Sequence, residues 1–282
     1  MSCPDCFRGQ IHEGETKGKV IKHYGFDTYV SEPPNGTTPK GIIVVIPDAF
    51  GWAFPNNRIL ADTYAEKGGF KVYLPDFMND RTSPRQSLLP LVSSPDHQIA
   101  YVTIPLTQRS IAAVQTILAA VPFFIRCAPG RTYPGVKGFF EQLRKEEGQA
   151  LPIGAAGFCW GGKHTVTLAH GAEINGQPLI DAGFTGHPSL LSLPSDVEKI
   201  KRPVSFACAE DDNQISLKQA EQIKAIVTAF PEPYKGELRV YQKTGHGFAV
   251  RADLKVPDVA AQAAAAEDQA IAWFTSHFST AT

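Results

Sequence analysis

Short apolar runs alternate along the chain with stretches in which apolar residues recur at helical spacing. The apolar runs predict buried strands at residues 42–46, 70–74, 151–156, 180–184, 203–208 and 238–242. The helically spaced stretches predict helices at residues 57–67, 136–145, from the turn after residue 156 to about 170, 216–230 and 258–277. This alternation is typical of the α/β class, in which a mostly parallel central sheet is flanked by helices on both faces.

Two regions depart from that alternation. Residues 21–30 alternate between apolar and polar positions, which predicts an outer antiparallel strand or a hairpin. Residues 79–131 form a long irregular excursion with one helix predicted at residues 107–120. Its prolines are Pro84, Pro90, Pro95, Pro105, Pro122 and Pro129. In an α/β protein such an excursion is typical of a lid over a site, and a surface insertion without a role is the alternative. No composition break marks a boundary, so we expect one domain over residues 1–282.

The composition is that of an ordinary globular protein. Of 282 residues, 43% are hydrophobic, and 27 basic side chains stand against 28 acidic ones, for a formal net charge of −1. This balance gives no reason to expect nucleic acid or an anionic membrane as a partner. No apolar stretch approaches the roughly 20 residues that span a bilayer. The polar N-terminus and the odd number of cysteines, five, argue against a signal peptide and a disulfide framework. We therefore expect a soluble cytoplasmic protein.

The candidate chemistry begins at Gly157-Phe158-Cys159-Trp160-Gly161, which follows a predicted strand and opens a predicted helix. The pattern is that of a nucleophile elbow, with cysteine as the nucleophile. A nucleophile on so tight a turn has a strained backbone, so the residues two positions to either side must be small. The helix directs amide groups and the positive end of its dipole at the sulfur, which favours the thiolate. The amide of Trp160 is then placed to bind an oxyanion.

Other interpretations of the same turn are weaker. A cysteine in a glycine-rich turn can be a purely structural, buried residue. The run from Gly157 to His164 nearly matches a phosphate-binding P-loop, but His164 occupies the position of the hydroxyl that would hold magnesium. Glutamine amidotransferases also use a cysteine elbow with a later His-Pro-Glu, whereas Ser189 follows His187-Pro188 in this chain.

A thiol nucleophile requires a base, and the base requires an orienting carboxylate. His246 lies between two glycines just past the strand predicted at residues 238–242, and Asp211 and Asp212 follow the strand predicted at residues 203–208. The carboxyl ends of parallel strands share the sheet edge at which sites form. The chain order of nucleophile, acid and histidine is that of α/β hydrolases. A histidine in a surface loop is the structural alternative.

Together these segments resemble the dienelactone hydrolase family. The resemblance is carried by residues 157–162, 210–212 and 245–251, and it extends over residues 41–51 and Pro75-Asp76, so that it covers nearly the whole chain. The start, Ser2-Cys3-Pro4-Asp5-Cys6, resembles fungal members. The resemblance implies one domain of the α/β-hydrolase fold that hydrolyses an enol-lactone or similar ester through a thioester intermediate. By motif position the triad is Cys159, His246 and Asp212, with Asp211 in reserve.

The resemblance also implies roles for residues around the triad. The family has an acidic residue that contacts the resting thiol in the loop after the first buried strand. Asp48 occupies that position and is one methylene shorter than the usual glutamate. The amide of Ala49 matches a second oxyanion donor, beside that of Trp160. Arg251 is placed to hold a substrate carboxylate. A further substrate-binding arginine is expected in the irregular region, where the candidates are Arg81, Arg85, Arg109 and Arg131.

Some side chains near this sheet edge have both a functional and a structural interpretation. His187 follows a predicted strand and either lines the substrate pocket or serves as a hydrogen-bonded structural histidine. Phe50, with Trp52 and Trp160, either forms an aromatic wall of the pocket or packs in the core.

The remaining chemistry-bearing residues lie near the N-terminus. Cys3 and Cys6 precede His12, but a zinc site requires about four ligands and the chain has no second pair of this kind. We expect no metal there and a partly exposed thiol pair.

Three functions are therefore considered. The leading hypothesis is a cofactor-free hydrolase, monomeric or homodimeric, that acts on a small-molecule ester or lactone and has no nucleic-acid or membrane partner. The alternatives are a thiol-based redox or electrophile-responsive protein on the same fold, and a binding module without catalysis.

Overall fold

The computed structural model describes residues 9–34, 36–79, 123 and 125–279. Within these ranges the strands are β1 (Lys19–His23), β2 (Phe26–Ser31), β3 (Ile42–Ile46), β4 (Lys71–Pro75), β5 (Ile153–Phe158), β6 (Glu173–Ile174), β7 (Gln177–Pro178), β8 (Ala182–Gly186), β9 (Val204–Asp211) and β10 (Glu237–Gly245). The helices are α1 (Pro55–Gly68), α2 (Pro129–Lys145), α3 (Trp160–Leu168), α4 (Ser195–Glu198), α5 (Leu217–Thr228), α6 (Phe248–Arg251) and α7 (Pro257–Phe278).

Among the described residues, the central sheet has eight strands in the order β1-β2-β4-β3-β5-β8-β9-β10. Strand β2 runs antiparallel to both of its neighbours, and the other pairings are parallel. This arrangement confirms the predicted mostly parallel sheet. The segment at residues 21–30 forms a hairpin, β1 and β2, rather than a single outer strand. Strands β6 and β7 form a separate small hairpin that the sequence analysis did not predict.

Helices cover both faces of the sheet, because the side chains of its strands alternate between two core layers. In β3, Ile42, Val44 and Ile46 belong to the layer that also contains residues of α2, α3 and α5. Ile43 and Val45 belong to the opposite layer, with residues of α1 and α7. Since successive side chains of a strand point to opposite faces, a continuous apolar run such as β3 is buried on both sides.

The last two strands extend beyond their predicted ends, and this extension positions the candidate site. Strand β9 continues to Asp211 and β10 to Gly245, and these two residues pair across an irregularity in the ladder that follows Tyr241. The strands predicted from the sequence end at residues 208 and 242, shortly before the polar residues at both observed strand ends. Because Asp211 and Gly245 are paired, the residues that follow them, Asp212 and His246, leave the sheet side by side.

Proline marks the beginning of several helices. Helix α2 begins at Pro129 rather than at residue 136, and α1 and α7 also have proline at their first position. A proline costs nothing there, because the first helical N–H has no intrahelical partner. Most of the excursion at residues 79–131, including the helix predicted at residues 107–120, lies outside the described residues, so the lid remains a prediction.

The segment ahead of β1 crosses α1 and α6. The side-chain amide of Asn56 donates to the carbonyls of Gln10 and Val250, at 2.9 and 2.8 Å, and its oxygen accepts from the amide of His12 at 2.9 Å. The amide of Gln10 donates to the carbonyl of Arg251 at 3.2 Å. A single buried side chain in α1 therefore joins the N-terminal segment to α6.

Among the described residues, none of the helices combines the length and the apolar composition that a bilayer crossing requires.

Packing of α7 against the sheet generates a stability prediction. Phe274 is fully buried, and a Cβ added at Gly154 of β5 would lie 2.5 Å from its ring. Replacing Phe274 with Ala leaves a cavity that such close packing cannot fill, so we expect the free energy of unfolding to fall by about 3–5 kcal/mol. Urea denaturation followed by circular dichroism measures the loss. Leu254→Ala, at a side chain that is half exposed, is the control, and an equal loss in both variants would contradict the prediction.

Candidate active site

The candidate nucleophile lies on a strained turn between β5 and α3. Cys159 has φ 51° and ψ −110°, a conformation that L-residues rarely adopt. A Cβ added to Gly157 would lie 2.3 Å from the carbonyl oxygen of Gly161. A Cβ added to Gly161 would lie 2.0 Å from the carbonyl oxygen of Ile46. The expected need for small residues on either side of the cysteine is thus confirmed, and each glycine is required by a specific close contact with backbone.

The acid and the histidine meet at the ends of β9 and β10. His246 Nδ1 lies 2.9 Å from Asp212 Oδ2 and 3.0 Å from Asp212 Oδ1, and both side chains are buried. Asp212 Oδ1 also accepts a hydrogen bond from the amide of Gln214 at 2.8 Å. Asp211, the reserve candidate, is exposed on the surface. The structure therefore joins His246 to Asp212 and leaves Asp211 aside.

The same imidazole interacts with the thiol. Burial by itself lowers the pKa of His246, but the charge of Cys159, the hydrogen bond to Asp212 and a side-chain hydrogen bond with Cys159 outweigh it and raise this pKa well above 6.5. Cys159 also directly precedes the first residue of α3, where the helix dipole favours an anion. These interactions favour a thiolate–imidazolium pair over the neutral thiol and imidazole.

A second side chain, beside that of His246, reaches the thiol. Ser189 Oγ lies 3.5 Å from Cys159 Sγ, and the Ser189 amide donates to the Cys159 carbonyl at 3.0 Å. In the sequence, Ser189 stands out only as the residue in place of a glutamate after His187-Pro188. Its position just past β8, at the same sheet edge as Asp212 and His246, is the signal that could have identified it.

Asp48 and Arg251 form a buried ion pair with each other. The second carboxylate oxygen of Asp48 accepts from the amide of Phe50 and from the side-chain amide of Asn57, both at 3.1 Å. The guanidinium of Arg251 lies over the Phe50 ring, 4.6 Å from its centroid. Within the described residues, the polar partners of Asp48 are therefore Arg251, the Phe50 amide and Asn57. The contact with the thiol that the family resemblance implied is not among them. Asn57 was not identified from the sequence.

His187 lies against His246. Their rings meet edge to face with centroids 5.0 Å apart, and the backbone of His187 has φ 40°. Burial, followed by the charge of His246, lowers the pKa of His187 well below 6.5, so that His187 stays neutral. Among the described residues, neither of its ring nitrogens has a hydrogen-bond partner. The fully buried ring therefore supports His246 from the side, and its predicted contact with substrate remains a prediction.

The two candidate oxyanion donors lie on segments that touch. The close contact between Gly161 and the carbonyls of Ile46 and Pro47 places the loop that carries Ala49 directly against the elbow that carries Trp160. The three rings of the predicted aromatic wall have separate partners, and the wall remains a prediction. Trp160 packs on His164 and its indole donates to the Cys127 carbonyl at 2.7 Å, Phe50 packs on Phe54, and Trp52 lies beside Arg58.

A cavity borders one side of the histidine–aspartate pair. Its volume is about 340 Å³, and its lining includes Asp212, His246, Phe248 and Arg251. Within the described residues, no group of three or more histidine, cysteine, aspartate or glutamate side chains could hold a metal ion.

Of the other residues that the sequence singles out, Arg131 and His12 lie within the described residues. Arg131 is exposed at the start of α2. His12 lies against the Ala252 carbonyl, with its Nε2 at 3.0 Å. The other candidates, Cys3, Cys6, Arg81, Arg85 and Arg109, lie outside the described residues.

Comparison with known proteins gives concordant matches. A model of the dienelactone hydrolase family matches residues 26–278. Hydrolase tropI of Talaromyces stipitatus is 30% identical, and the match covers 98% of this chain and 96% of that protein. Hydrolase pyvD of Aspergillus violaceofuscus is 28% identical, and the match covers 96% of this chain and 95% of that protein. The crystal structure of a dienelactone hydrolase from Anabaena variabilis aligns with a TM-score of 0.58 at 14% identity, covering 94% of this chain and 99% of that one. At that identity, the structural match supports the fold alone.

The buried pair of Asp48 and Arg251 can be tested through stability. Asp48→Asn keeps an oxygen for Phe50 and Asn57 but leaves the arginine charge buried without its partner, so we expect a loss of about 3–5 kcal/mol in the free energy of unfolding. Arg251→Met should cost a similar amount. The double variant should recover much of the loss, because neither charge is then left unpaired. A double-mutant cycle in urea measures this coupling, and strictly additive losses would contradict the ion pair.

Proposed function

The chain belongs to the dienelactone hydrolase family and is a hydrolase of carboxylic esters or lactones, and we propose that it cleaves an enol-lactone or a related ester with Cys159 as nucleophile, His246 as base and Asp212 as the orienting acid. The observation that carries the proposal is the buried contact of His246 Nδ1 with Asp212 at 2.9 Å, on an imidazole that also hydrogen-bonds to Cys159. Because Nδ1 faces the carboxylate, Nε2 is the nitrogen that serves the sulfur.

The first half of the proposed reaction forms a thioester. The Cys159 thiolate attacks the carbonyl carbon, a carbon–sulfur bond forms, and the carbonyl π electrons move to the oxygen. The amides of Ala49 and Trp160 stabilise this oxyanion. When it collapses, the carbon–oxygen bond of the ester breaks, and the leaving enolate or alkoxide takes a proton from His246. Asp212 holds the imidazole in the required orientation and stabilises its protonated form.

The second half releases the acid. Neutral His246 removes a proton from a water molecule, and the hydroxide adds to the thioester carbonyl in the same oxyanion site. Collapse breaks the carbon–sulfur bond and restores the thiolate, with His246 again protonated. The resting state of this cycle is the thiolate–imidazolium pair that the raised pKa of His246 favours. No cofactor takes part in this scheme.

Substrate recognition at Arg251 depends on the pairing of this residue with Asp48. Arg251 borders the cavity beside His246 and lies over the Phe50 ring, and its guanidinium is engaged by Asp48. A substrate carboxylate would therefore have to compete with Asp48 for the guanidinium, and a neutral ester would leave the pair intact. His187 contributes the packing of His246 in either case.

Removal of the nucleophile or the base tests the proposal directly. We expect Cys159→Ala and His246→Ala each to lower kcat for hydrolysis of an activated aryl ester by at least about 10³-fold, because triad residues act as a unit. Cys208→Ala, which removes another buried thiol, is the matched control and should retain activity. Retention of most esterase activity by Cys159→Ala would exclude this mechanism, and reversible oxidation of Cys159 without any ester turnover would favour the thiol-based alternative.

Neighbouring aspartates provide a second test. Asp212→Asn should lower kcat by about 10³- to 10⁴-fold, because an amide cannot hold the correct tautomer of His246 or stabilise its positive charge. Asp211→Asn changes the adjacent, exposed carboxylate in the same way and should leave kcat within about twofold of the wild type. Steady-state kinetics of both variants on the same ester make the comparison. The reverse order of effects would move the acid to Asp211.

A further inference from the structure

The loop after β8 is built against the nucleophile. The Cys159 amide donates to the Gly186 carbonyl at 3.1 Å, and the Ser189 amide donates to the Cys159 carbonyl at 3.0 Å. His187 and Leu190, on either side of this serine, have positive φ values of 40° and 63°. Unusual backbone conformations of this kind persist where the surrounding structure fixes them, and they concentrate at functional sites.

The side chain of Ser189 is directed at the sulfur. It is buried, and among the described residues the Cys159 sulfur at 3.5 Å is the polar partner of its hydroxyl. A buried serine commonly hydrogen-bonds to nearby backbone instead. In this loop the backbone holds the serine in place, and its hydroxyl is left for the thiol.

The direction of this hydrogen bond follows from the charges. A thiolate has no proton to donate, so the serine hydroxyl must be the donor when Cys159 is ionised. The acid that the family resemblance placed at the thiol, Asp48, is engaged by Arg251 and Asn57 in this chain. A neutral donor at the sulfur therefore takes the place of an anionic neighbour, which would oppose the thiolate.

We propose that Ser189 is a positioning residue whose hydroxyl donates a hydrogen bond to the Cys159 thiolate and holds it in the orientation for attack. The inference rests on the proposed function in taking Cys159 as the nucleophile. Because the hydrogen bond favours the charged form of the sulfur, its removal should raise the pKa of the thiol. The other ionisable groups that face this region are His246 with Asp212, neutral His187, and the pair of Asp48 and Arg251. All of them are unchanged in a Ser189 variant.

A titration of the thiolate tests the inference without requiring turnover. The ultraviolet absorbance of the thiolate is followed against pH, and the signal of the same protein carrying Cys159→Ala is subtracted so that the other cysteines cancel. For Ser189→Ala, we expect the midpoint to move upward by about one pH unit, the size expected for the loss of one hydrogen bond to a charged group. Ser195→Ala removes an exposed hydroxyl at the start of α4 and should leave the midpoint unchanged.

An isosteric pair keeps the test decisive if Ser189→Ala does not fold. Ser189→Thr and Ser189→Val differ only in the exchange of a hydroxyl for a methyl group. We expect the threonine variant to titrate like the wild type and the valine variant to show the upward shift. Equal midpoints in these two variants, or a wild-type thiol that titrates at the ordinary value of about 8.5, would overturn the inference.

The two proposals can fail separately. An upward shift in Ser189→Ala or in Ser189→Val, found in a protein whose hydrolysis of the aryl ester survives Cys159→Ala, would support the hydrogen bond and reject the proposed function. Loss of hydrolysis in Cys159→Ala with no shift in any Ser189 variant would support the proposed function and reject the role of Ser189.

Discussion

The pairing of Gly245 with Asp211 at the end of the ladder between β9 and β10 is the constraint on which the candidate site depends. It fixes the point at which both strands leave the sheet, so that the next residues, His246 and Asp212, emerge next to each other. The irregularity after Tyr241 adjusts the register to allow this. A shift of one residue in either strand would turn one of the two side chains to the other face of the sheet. The relative position of His246 and Asp212 is thus set by the backbone pairing of the two strands.

Charge balance is the second organising feature of this edge. Buried ions are tolerated only when each has a partner, and the site contains two such sets. One comprises Asp212, His246 and Cys159, and the other is the pair of Asp48 and Arg251. His187 lies beside the first set and stays neutral because it is buried next to a positive charge. The arrangement keeps a polar centre in a site whose surroundings are largely apolar.

Much of the fold and the centre of the site could be predicted from the sequence, because local patterns encode them. The apolar runs located the main strands, and the spacing of Gly157, Cys159 and Gly161 reports a contact that only glycine permits. The partners of Asp48 and Ser189 could not be predicted in this way. The ion pair depends on how the short helix α6 directs Arg251 inward, and the serine contact depends on a loop with two positive φ angles. Neither feature leaves a periodic pattern in the sequence.

The contacts of the segment ahead of β1 limit how far this protein can be shortened for expression. Asn56 binds the backbone of residue 10 and of residue 250, one position before the arginine that engages Asp48. An expression fragment trimmed to the first strand would lose this tether and leave Asn56 with an unmatched donor in the interior. Residues 10 and 12 therefore help to hold α6 in place, and truncation for crystallisation should spare them.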